Sequence, residues 1–263
     1  MPLDFCHADK LLLGGMGTVL ASSLVLGVTP LSVGLPLALL AGLITDGVAR
    51  PASSLLYPTI SRGPADRSIV ALTFDDGPDS EITPAILDTL NAFRAKATFF
   101  AIGRNVAQHR DIARRIVAEG HELGNHSWQH SRLQNFYTRR WQSEDLQRSA
   151  EMIQQITGRA DFPLYRPPVG LKSPSLARAA HRLGLKMVAW SLHGRDTTQR
   201  DPRRIATDIL DRITPGDIVL LHDGHDIPGQ HRTAGANALP LILEGLKQRR
   251  LEAVTVSELL KLK

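Results

Sequence analysis

The sequence predicts an α/β domain whose parallel sheet is curled into a barrel, preceded by an apolar membrane segment. Three observations support this prediction. Beyond Arg67, short apolar strands alternate with amphipathic helices, a pattern typical of a parallel sheet. Polar clusters follow the ends of several strands, and in such barrels these ends share the face where active sites form. Ahead of the domain, the stretch from Leu11 to Thr45 contains no charged residue.

The composition is that of an ordinary globular protein, with 263 residues of which 43% are hydrophobic and 22% charged. A single cysteine, Cys6, excludes an internal disulfide and a zinc site built from cysteines. The net charge of +5 suits an anionic envelope polymer or anionic lipid headgroups. No basic run is interleaved with aromatic residues, so a nucleic-acid partner is not expected.

The uncharged stretch 11–45 is interpreted as a membrane anchor. One span needs about 20 apolar residues, and this stretch is too long for one span and nearly long enough for two. Pro30 lies near its middle, where a tight turn could join two helices; one span with an interfacial extension is the alternative. A cleaved signal peptide has a shorter core and an Ala-x-Ala site, which is missing here. The predicted division is an anchor of one or two helices at 1–49, a Pro- and Ser-rich linker at 50–66 and a catalytic domain at 67–263.

Within the domain, short apolar runs predict strands and apolar residues at helical spacing predict helices. Glycines such as Gly120 and Gly158 are typical residues just beyond a helix end, and Asp201-Pro202 is typical of a helix start. The predicted strands are 69–74, 97–102, 121–124, 162–165, 186–190, 217–221 and 253–256. The predicted helices begin near Pro84 and Pro202 or cover 106–118, 139–157, 174–183 and 236–248.

Two adjacent carboxylates, Asp75 and Asp76, follow the first of these strands. Gly77 would let the loop after them bend sharply. Neighbouring carboxylates repel each other unless a cation lies between them, although on its own such a string is more often a surface turn. Other polar clusters at strand ends favour a shared site. They begin at His126, Arg166, Asp196 and His222.

His126 and His130 are separated by three residues, which on a helical turn would put both imidazoles on one side, as a divalent metal requires. One carboxylate of the aspartate pair would complete a site of two histidines and one carboxylate with open positions. This ligand set suits zinc, and also cobalt, nickel or iron. The other aspartate would stay free as a base.

Hydrolysis of an amide or ester also requires an oriented base and an acid for the leaving group. Arg166 lies on a Pro-Pro loop and is the expected cation that keeps the base ionised. His222 directly follows an apolar strand and is the expected general acid. Asp196 is the expected carboxylate that keeps His222 protonated.

Five motifs, in order, resemble the NodB-homology polysaccharide deacetylases of carbohydrate esterase family 4. The resemblance covers roughly residues 67 to 260, and its motifs are TFDDGP at 73–78, HSWQH at 126–130, RPPVG at 166–170, WSLHGRD at 190–196 and LLHD at 220–223. It implies a distorted, incomplete (β/α) barrel and metal-dependent removal of N- or O-acetyl groups from sugar polymers. The implied catalytic residues are Asp75 as base, His222 as acid, and Arg166 and Asp196 as their partners. The implied ligands of one divalent ion, zinc above all, are Asp76, His126 and His130.

The resemblance also implies how the substrate pocket is built. The backbone amide of Val169 would bind the oxyanion, Leu220 would line the acetyl pocket, and Trp190 is either a substrate contact or a packing residue. The family usually has an aromatic residue where Val169 stands and a tryptophan where Thr197 stands. These two departures bear on the acyl group and the substrate. For Trp128 and His193 ordinary packing is the main alternative to substrate contact, and for His225 and His231 it is solvent exposure.

The predicted function is hydrolytic removal of N-acetyl, or O-acetyl, groups from an envelope polysaccharide such as peptidoglycan or an N-acetylhexosamine polymer. The expected partners are this glycan and the membrane, with the catalytic domain extracytoplasmic, although Lys10 and Arg50 on either side of the apolar stretch do not decide the side. One alternative is deacylation or deformylation of a lipid-linked sugar. The other is a non-catalytic glycan-binding membrane protein, against which the complete set of base, ligands and acid argues.

Overall fold

The computed structural model describes residues 6–159, 164–227 and 230–261. Two long helices come first, and strands and helices then alternate. The strands are β1 (Thr59–Ile60), β2 (Ile69–Asp75), β3 (Thr98–Ala101), β4 (Glu122–Asn125), β5 (Leu164–Tyr165), β6 (Lys186–Val188), β7 (Leu192–His193), β8 (Ile218–His222) and β9 (Glu252–Val254). The helices are α1 (His7–Leu26), α2 (Pro30–Ala49), α3 (Ile82–Ala92), α4 (Gly103–Gln108), α5 (Arg110–Ala118), α6 (Arg139–Thr157), α7 (Pro174–Arg182), α8 (Pro202–Leu210), α9 (Ala234–Gln248) and α10 (Val256–Leu259). Residues 162–163 of the predicted fourth strand, and the ends of the predicted anchor and domain at 1–5 and 262–263, lie outside the described residues.

The strands form one parallel sheet in the order β1-β6-β5-β4-β3-β2-β8-β7, and β9 pairs with β2. The first half of β2 pairs with β9 and its second half with β3, while β8 runs along its other edge. Within the described chain, β1 and β7 at the two ends of this order do not pair with each other, so the barrel is open. The predicted incomplete (β/α) barrel is therefore confirmed.

The central strand β2 is buried along its whole length, which explains its nearly unbroken apolar sequence. Its Phe74 stacks on Phe99 of β3 with the ring centroids 5.2 Å apart. The apolar faces of α3 and α9 pack on the same side, with residues such as Ile86 and Ile242 fully buried. Because all strands are parallel, their carboxyl ends open on one face of the sheet.

The helix predicted at 106–118 is two helices, α4 and α5, which meet at His109 (φ −120°, ψ 50°). The first of them begins earlier than predicted, at Gly103. A Cβ atom there would lie 2.7 Å from the ring of Trp128, so only glycine lets the chain start the helix so close to this side chain.

The segment 50–66 is packed into the domain and does not form the predicted linker. Leu56 is fully buried, and the Tyr57 hydroxyl donates a hydrogen bond of 2.7 Å to the carbonyl of Leu185. Residues 59–60 form strand β1, which pairs with β6. The Pro and Ser content indicated a loop correctly, but two apolar side chains within it are enough to fix the segment to the core.

Lys172 forms hydrogen bonds with the backbone immediately after α2. Its side chain is buried, and its ammonium group donates hydrogen bonds of 2.7 Å to the Pro51 carbonyl and 2.6 Å to the Ser53 carbonyl, with the Arg50 carbonyl at 3.2 Å. Burial lowers the pKa of Lys172 to about 8. The three carbonyl oxygens supply the partners that a buried ammonium requires. Lys172 thereby joins the start of the domain to the loop that follows β5.

Helices α1 and α2 form a hairpin, one of the two arrangements predicted for the apolar stretch. Each has 20 residues, so each is about 30 Å long, the thickness of a bilayer core. Both pass by length and composition as candidate membrane spans. The Thr29 side chain caps α2 by accepting a hydrogen bond of 3.1 Å from the Ser32 amide. A Cβ atom on Gly15 would lie 2.7 Å from Leu40, so this glycine lets the two helices approach closely.

The open end of the hairpin packs against the α/β domain. Cys6 and Ala8 at the start of α1 are buried in an apolar cluster with Leu176 of α7. Next to them Asp9 forms an ion pair with Arg178, also on α7. Both legs of the hairpin are therefore fixed to the domain at the end opposite their turn.

Candidate active site

A cleft of about 350 Å³ opens at the carboxyl ends of the strands. It contains eight of the ten residues predicted for the site; the other two, Arg166 and Asp196, lie directly behind its lining. The lining residues are Asp75, Asp76, His126, His130, Arg132, Val169, Gly170, Trp190, Thr197, Leu220, His222, Asp226 and Arg232. The strand-end residues that the sequence analysis expects on one face are thus placed in or next to a single cleft.

The two aspartates diverge because the chain turns at Asp76. Asp75 is the last residue of β2, and Asp76 adopts a left-handed conformation with φ 79°. The sharp bend predicted for Gly77 is therefore made by Asp76, whose carbonyl is held by the Asn105 side chain at 2.8 Å. Gly77 is needed for a different reason, since a Cβ atom there would collide with the carboxylate of Asp223. This carboxylate accepts the Gly77 amide at 3.1 Å, and burial raises the pKa of Asp223 to about 7.

Asp76, His126 and His130 form a compact group of three ligand atoms, all within 4.8 Å of one another. Asp76 Oδ1 lies 3.6 Å from His126 Nε2 and 3.2 Å from His130 Nε2. All three side chains are buried, and Asp76 Oδ1 has no hydrogen-bond partner among the described residues. A buried, unpaired carboxylate oxygen facing two imidazole nitrogens is costly unless a cation binds there. The residues present therefore fit one divalent metal ion.

The ring of His126 is oriented for metal binding by its second nitrogen. Its Nδ1 lies 2.7 Å from the backbone carbonyl of Arg166. Donation of a proton to this carbonyl leaves Nε2 with a free lone pair directed at Asp76. Burial and the neighbouring His130 lower the pKa of His126 to about 3, so the ring is neutral at physiological pH, as a ligand must be.

The two histidines do not lie on a helical turn, and that part of the prediction was wrong. The loop instead bends at two left-handed residues, Ser127 (φ 68°) and His130 (φ 53°). The buried carboxylate of Asp145 holds the bend by accepting the amides of Trp128 at 2.9 Å and Gln129 at 3.2 Å. The imidazoles converge because tertiary hydrogen bonds shape this loop.

Arg232, Asp226 and Arg132 surround the ligand group and were missed by the sequence analysis. Arg232 donates a hydrogen bond to Asp76 Oδ2, which leaves Oδ1 to face the histidines. Asp226 pairs with Arg132 at 2.9 Å and lies 3.8 Å from His130 Nδ1. Asp226 could have been noticed, because it follows the last motif closely. The arginines carry no local signal.

Arg166 is fully buried and holds Asp75 by one oxygen. Its Nη1 donates to Asp75 Oδ1 at 2.7 Å and to the Thr73 hydroxyl at 2.8 Å, and its Nη2 donates to the Ala189 carbonyl at 2.9 Å. The other oxygen, Asp75 Oδ2, faces the ligand group and lies 3.7 Å from His126 Nε2. A carboxylate fixed by one oxygen and open at the other is well placed to accept a proton in the cleft.

His222 is the last residue of β8, lines the same cleft and is paired with Asp196. Its Nδ1 lies 3.0 Å from Asp196 Oδ1, and its backbone amide donates to Asp196 Oδ2 at 2.8 Å. Gly235 leaves room for this carboxylate, since a Cβ atom there would lie 2.6 Å from it. Burial disfavours a charge on His222, but the charge and hydrogen bond of Asp196 outweigh it and raise the pKa of His222 to about 9. The imidazole is therefore protonated at neutral pH.

The remaining walls of the cleft are apolar or small. Val169 is left-handed with φ 50° and 47% exposed, and it stands beside Gly170 and Trp190. Leu220 lines the floor and is only 7% exposed. Thr197 also lines the cleft, at the position where the resemblance would place a tryptophan.

Other polar and aromatic residues that stood out in the sequence lie elsewhere. Trp128 packs against Arg148, whose guanidinium carbon is 3.9 Å from the ring centroid, as the packing alternative predicts. His193 belongs to β7 and is not a lining residue of the cleft. His225 and His231 line a second polar cavity of about 210 Å³.

The chain matches the family model described as polysaccharide deacetylase over residues 62–188. A peptidoglycan-N-acetylglucosamine deacetylase of Bacillus cereus is 36% identical over 202 residues, which are 76% of this chain and 92% of that protein. A chitooligosaccharide deacetylase of Azorhizobium caulinodans is 35% identical over 161 residues, which are 60% of this chain and 75% of that protein.

Solved structures give the same result. A peptidoglycan N-acetylglucosamine deacetylase in complex with an N-oxidanyl-benzamide superimposes with a TM-score of 0.73 at 32% identity, covering 79% of this chain and 94% of that chain. A CE4 family pseudoenzyme from Bacillus anthracis superimposes with a TM-score of 0.70 at 27% identity, covering 80% of this chain and 71% of that chain. Because a pseudoenzyme shares the fold, the fold alone does not indicate the chemistry, and the polar residues of the cleft do. The sequence, the fold and the relatives agree that the chain is an enzyme of the polysaccharide deacetylase family.

Proposed function

We propose that the protein is a metal-dependent hydrolase that removes N-acetyl groups from N-acetylglucosamine-containing envelope glycans. The observation that carries this proposal is the convergence, in one cleft, of a ligand group in which Asp76 Oδ1 is unpaired, a fixed carboxylate and a protonated histidine. A glycan-binding protein would need none of these three together. The named activities of the relatives, on peptidoglycan and on chitooligosaccharides, support the choice of sugar.

Asp76, His126 and His130 would hold the metal ion. Two histidines and one carboxylate suit zinc best among common ions, and cobalt, nickel and iron also accept this set. A divalent ion bound there would lower the pKa of a water molecule and polarise the acetyl carbonyl. Arg232 would act from outside the ligand set by keeping Asp76 Oδ2 occupied.

Two residues, Asp75 and His222, carry out the two proton transfers of the reaction. Asp75 takes a proton from the attacking water, and Arg166 keeps this carboxylate ionised and in place. Water adds to the acetyl carbon, and the backbone amide of Val169 donates a hydrogen bond to the oxygen on which negative charge develops. His222 then gives its proton to the amide nitrogen as the carbon–nitrogen bond breaks. The products are acetate and the free amine of the sugar.

The apolar walls would hold the acetyl group and the ring. Leu220 provides the floor for the methyl group, and Trp190 borders the same space. Thr197 in place of a tryptophan leaves this side of the pocket wider and more polar. An O-acetyl group or a somewhat larger acyl group would fit the same arrangement, so esters belong in the substrate screen.

The test is acetate release by the purified full chain from soluble N-acetylglucosamine oligomers. We expect release that stops on chelation and returns on addition of a divalent ion. His126→Ala should lose both the ion and the activity, whereas His109→Ala, in the break between α4 and α5, should lose neither. Oligomer binding without acetate release in the metal-loaded protein would favour the glycan-binding alternative. Faster release from an O-acetylated glycan would make the enzyme an esterase.

The pairing of Asp196 with His222 predicts where kcat/KM falls on the alkaline side of its pH profile. His222 must be protonated to act as the acid, so kcat/KM should fall as the pH rises through the pKa of His222. Asp196→Asn removes the charge that raises this pKa, so the limb should move about 1 to 3 pH units lower. Asp201→Asn, an exposed change of the same kind at the start of α8, is the matched control. If kcat/KM of Asp196→Asn fell at the same alkaline pH as that of the wild type, His222 would not be the general acid.

We infer that residues 6–49 form a membrane hairpin and that the catalytic part begins at Pro51, because the segment from there on is packed into the domain. Lys10 and Arg50 then stand at the domain end of the hairpin, and the turn at residues 27–29 has no basic residue. With two spans, both basic residues lie on the same side of the membrane, whereas a single span would place one of them on each side. The positive-inside rule applied to this hairpin favours the cytoplasmic side for the domain, whereas peptidoglycan, the substrate named for a relative, would require the extracytoplasmic side that the sequence analysis expects.

Cysteine labelling in intact cells tests this arrangement. In a Cys6→Ala background, Val28→Cys at the hairpin turn should react with a membrane-impermeant maleimide, and Gln248→Cys on the exposed end of α9 should react only after permeabilisation. The reverse pattern would place the domain outside the cytoplasm. Equal reactivity at both positions would contradict the hairpin itself.

A further inference from the structure

We propose that Lys172 is a positioning residue for the reaction, because it fixes the loop that presents the Val169 amide to the cleft. This inference rests on the proposed function, in which that amide donates to the oxygen that becomes negatively charged. The loop, here called the oxyanion loop, comprises residues 167–172 and lies between Arg166, which holds the base, and α7. Its position therefore bears on the rate of hydrolysis as well as on folding.

The Val169 amide is open to the cleft. Val169 lines the cleft and is left-handed, with φ 50°. The next two amides, of Gly170 and Leu171, donate to carbonyls at the start of the loop, at 2.9 Å and 3.3 Å. Among the residues that the structure describes, the Val169 amide has no backbone acceptor of this kind. A donor left open at the wall of a cleft is available to a substrate oxygen.

The two ends of the oxyanion loop are held by different parts of the chain. At the first end, the Arg166 amide donates to the Asn125 carbonyl of β4 at 2.9 Å. At the other end, the Lys172 amide donates to the Val48 carbonyl, in the last turn of α2, at 3.3 Å. The loop is therefore bonded to the barrel on one side and to the segment that leaves α2 on the other.

The ammonium group of Lys172 reinforces the second attachment. It is buried and donates to the carbonyls of Pro51 at 2.7 Å, Ser53 at 2.6 Å and Arg50 at 3.2 Å. A buried ammonium group without acceptors is costly, so the group and its carbonyls have to stay together. A methionine side chain would fill a similar space without this requirement. The charge therefore selects one arrangement of the oxyanion loop against the segment at 50–53.

The same segment touches the oxyanion loop beside the open amide. A Cβ atom on Gly170 would lie 2.7 Å from the ring of Pro51 and 2.7 Å from Trp190. Gly170 also has φ 70°, so the backbone and the packing both require glycine there. Because Val169 precedes Gly170 directly, any shift of Pro51 against this glycine moves the Val169 amide. Lys172 sets the position of Pro51 and thereby that of the amide.

The test measures acetate release from a soluble tetramer of N-acetylglucosamine by the zinc-loaded full chain carrying Lys172→Met. We expect kcat to fall by about 10- to 100-fold, because a donor displaced by about 1 Å stabilises the transition state poorly. KM should stay within about twofold of the wild-type value, since the substrate loses no ground-state contact. The Kd for zinc should not change, because the ligand group is untouched. Lys186→Met, an exposed change of the same kind on β6, is the matched control and should leave all three values unchanged.

A second set of variants tests the contact at Pro51 and decides the matter where Lys172→Met does not fold. Gly170→Ala should lower kcat in the same way, and the double variant with Pro51→Gly should regain part of it, because the ring that the new Cβ strikes is gone. Gly184→Ala is the matched control. Gly184 has a similar φ of 63°, but a Cβ atom there would meet no atom within 4 Å. This control should share the loss of stability and keep the wild-type kcat.

Wild-type kcat in folded Lys172→Met would overturn the inference, and so would a double variant that regains no kcat over Gly170→Ala. A fall in kcat that follows loss of zinc, or that comes with an equal rise in KM, would also overturn it, because Lys172 would then act on the metal or on substrate binding. Each of these results leaves the proposed deacetylase standing. Absence of acetate release by the wild-type chain would instead overturn the proposed function.

Discussion

Asp75→Asn is expected to lower kcat/KM for acetate release by about 10² to 10⁴-fold while the metal ion stays bound. Asparagine has nearly the shape of aspartate but cannot accept the proton of the attacking water. The ligand group of Asp76, His126 and His130 is untouched by this change. Steady-state kinetics with metal analysis of the same preparation would show both effects.

Asp76→Asn is the informative companion variant, because it should lose the metal ion along with the activity. Asp88→Asn, on the exposed face of α3, should change neither and serves as the matched control. The two adjacent carboxylates differ in their surroundings, since Asp75 is held by Arg166 while Asp76 Oδ1 is left unpaired. If Asp75→Asn lost the metal and Asp76→Asn kept it, the two roles would have to be exchanged.

Arg166→Met is expected to cost about 3 to 5 kcal/mol of folding free energy in addition to most of the activity. Arg166 is completely buried, and its removal would leave the carboxylate of Asp75 without a cation in the protein interior. The carbonyl of Ala189 would also lose its donor. A fall of the unfolding midpoint on the order of 10 °C in thermal melts of the detergent-purified chain would show this cost.

A double-mutant cycle separates the charge pair from general packing. Arg166→Met combined with Asp75→Asn should be less destabilised than the sum of the two single variants, since no buried charge is left unpaired. Arg166→Lys should recover part of the stability, because lysine keeps the charge but cannot reproduce the separate hydrogen bonds that Nη1 donates to Asp75 and Nη2 donates to the Ala189 carbonyl. Wild-type stability in the single Arg166→Met variant would show that the pair has no structural role.

The parts of the site that follow a strand end could be predicted from the sequence. Asp75, Arg166 and His222 each come directly after a short apolar run, and parallel strands bring such positions to one face. The order of the strands and the opening of the barrel needed either the family resemblance or the structure, because periodicity says nothing about which strands pair.

The rest of the site depends on contacts between distant parts of the chain. Arg232 lies 156 residues after Asp76 in the sequence and yet donates a hydrogen bond to its carboxylate. No local sequence pattern marks Arg232 as a partner. The bend at Ser127 and His130 requires two non-glycine residues in the left-handed region, which the buried carboxylate of Asp145 makes possible. The helical spacing rule therefore predicted that the two imidazoles lie close together, but a bend of the loop and not a helical turn brings them there.

The same limit applies to the segment between the hairpin and the barrel. Its Pro and Ser content is typical of a linker, but the carbonyls of Pro51 and Ser53 are bound by Lys172, more than a hundred residues later. A protein that begins at residue 51 would keep these two carbonyls. It would lose Cys6 and Ala8, which pack on the apolar residues of α7 and shield them from solvent.

Anomalous diffraction from crystals of the zinc-loaded full chain tests the central claim most directly. We predict one ion bound at about 2.0 to 2.2 Å by a carboxylate oxygen of Asp76 and by the Nε2 atoms of His126 and His130, with Asp75 outside the ligand set and still paired with Arg166. An ion bound by Asp75 in place of Asp76, or no ion between the two histidines in crystals that hold zinc elsewhere, would contradict the account.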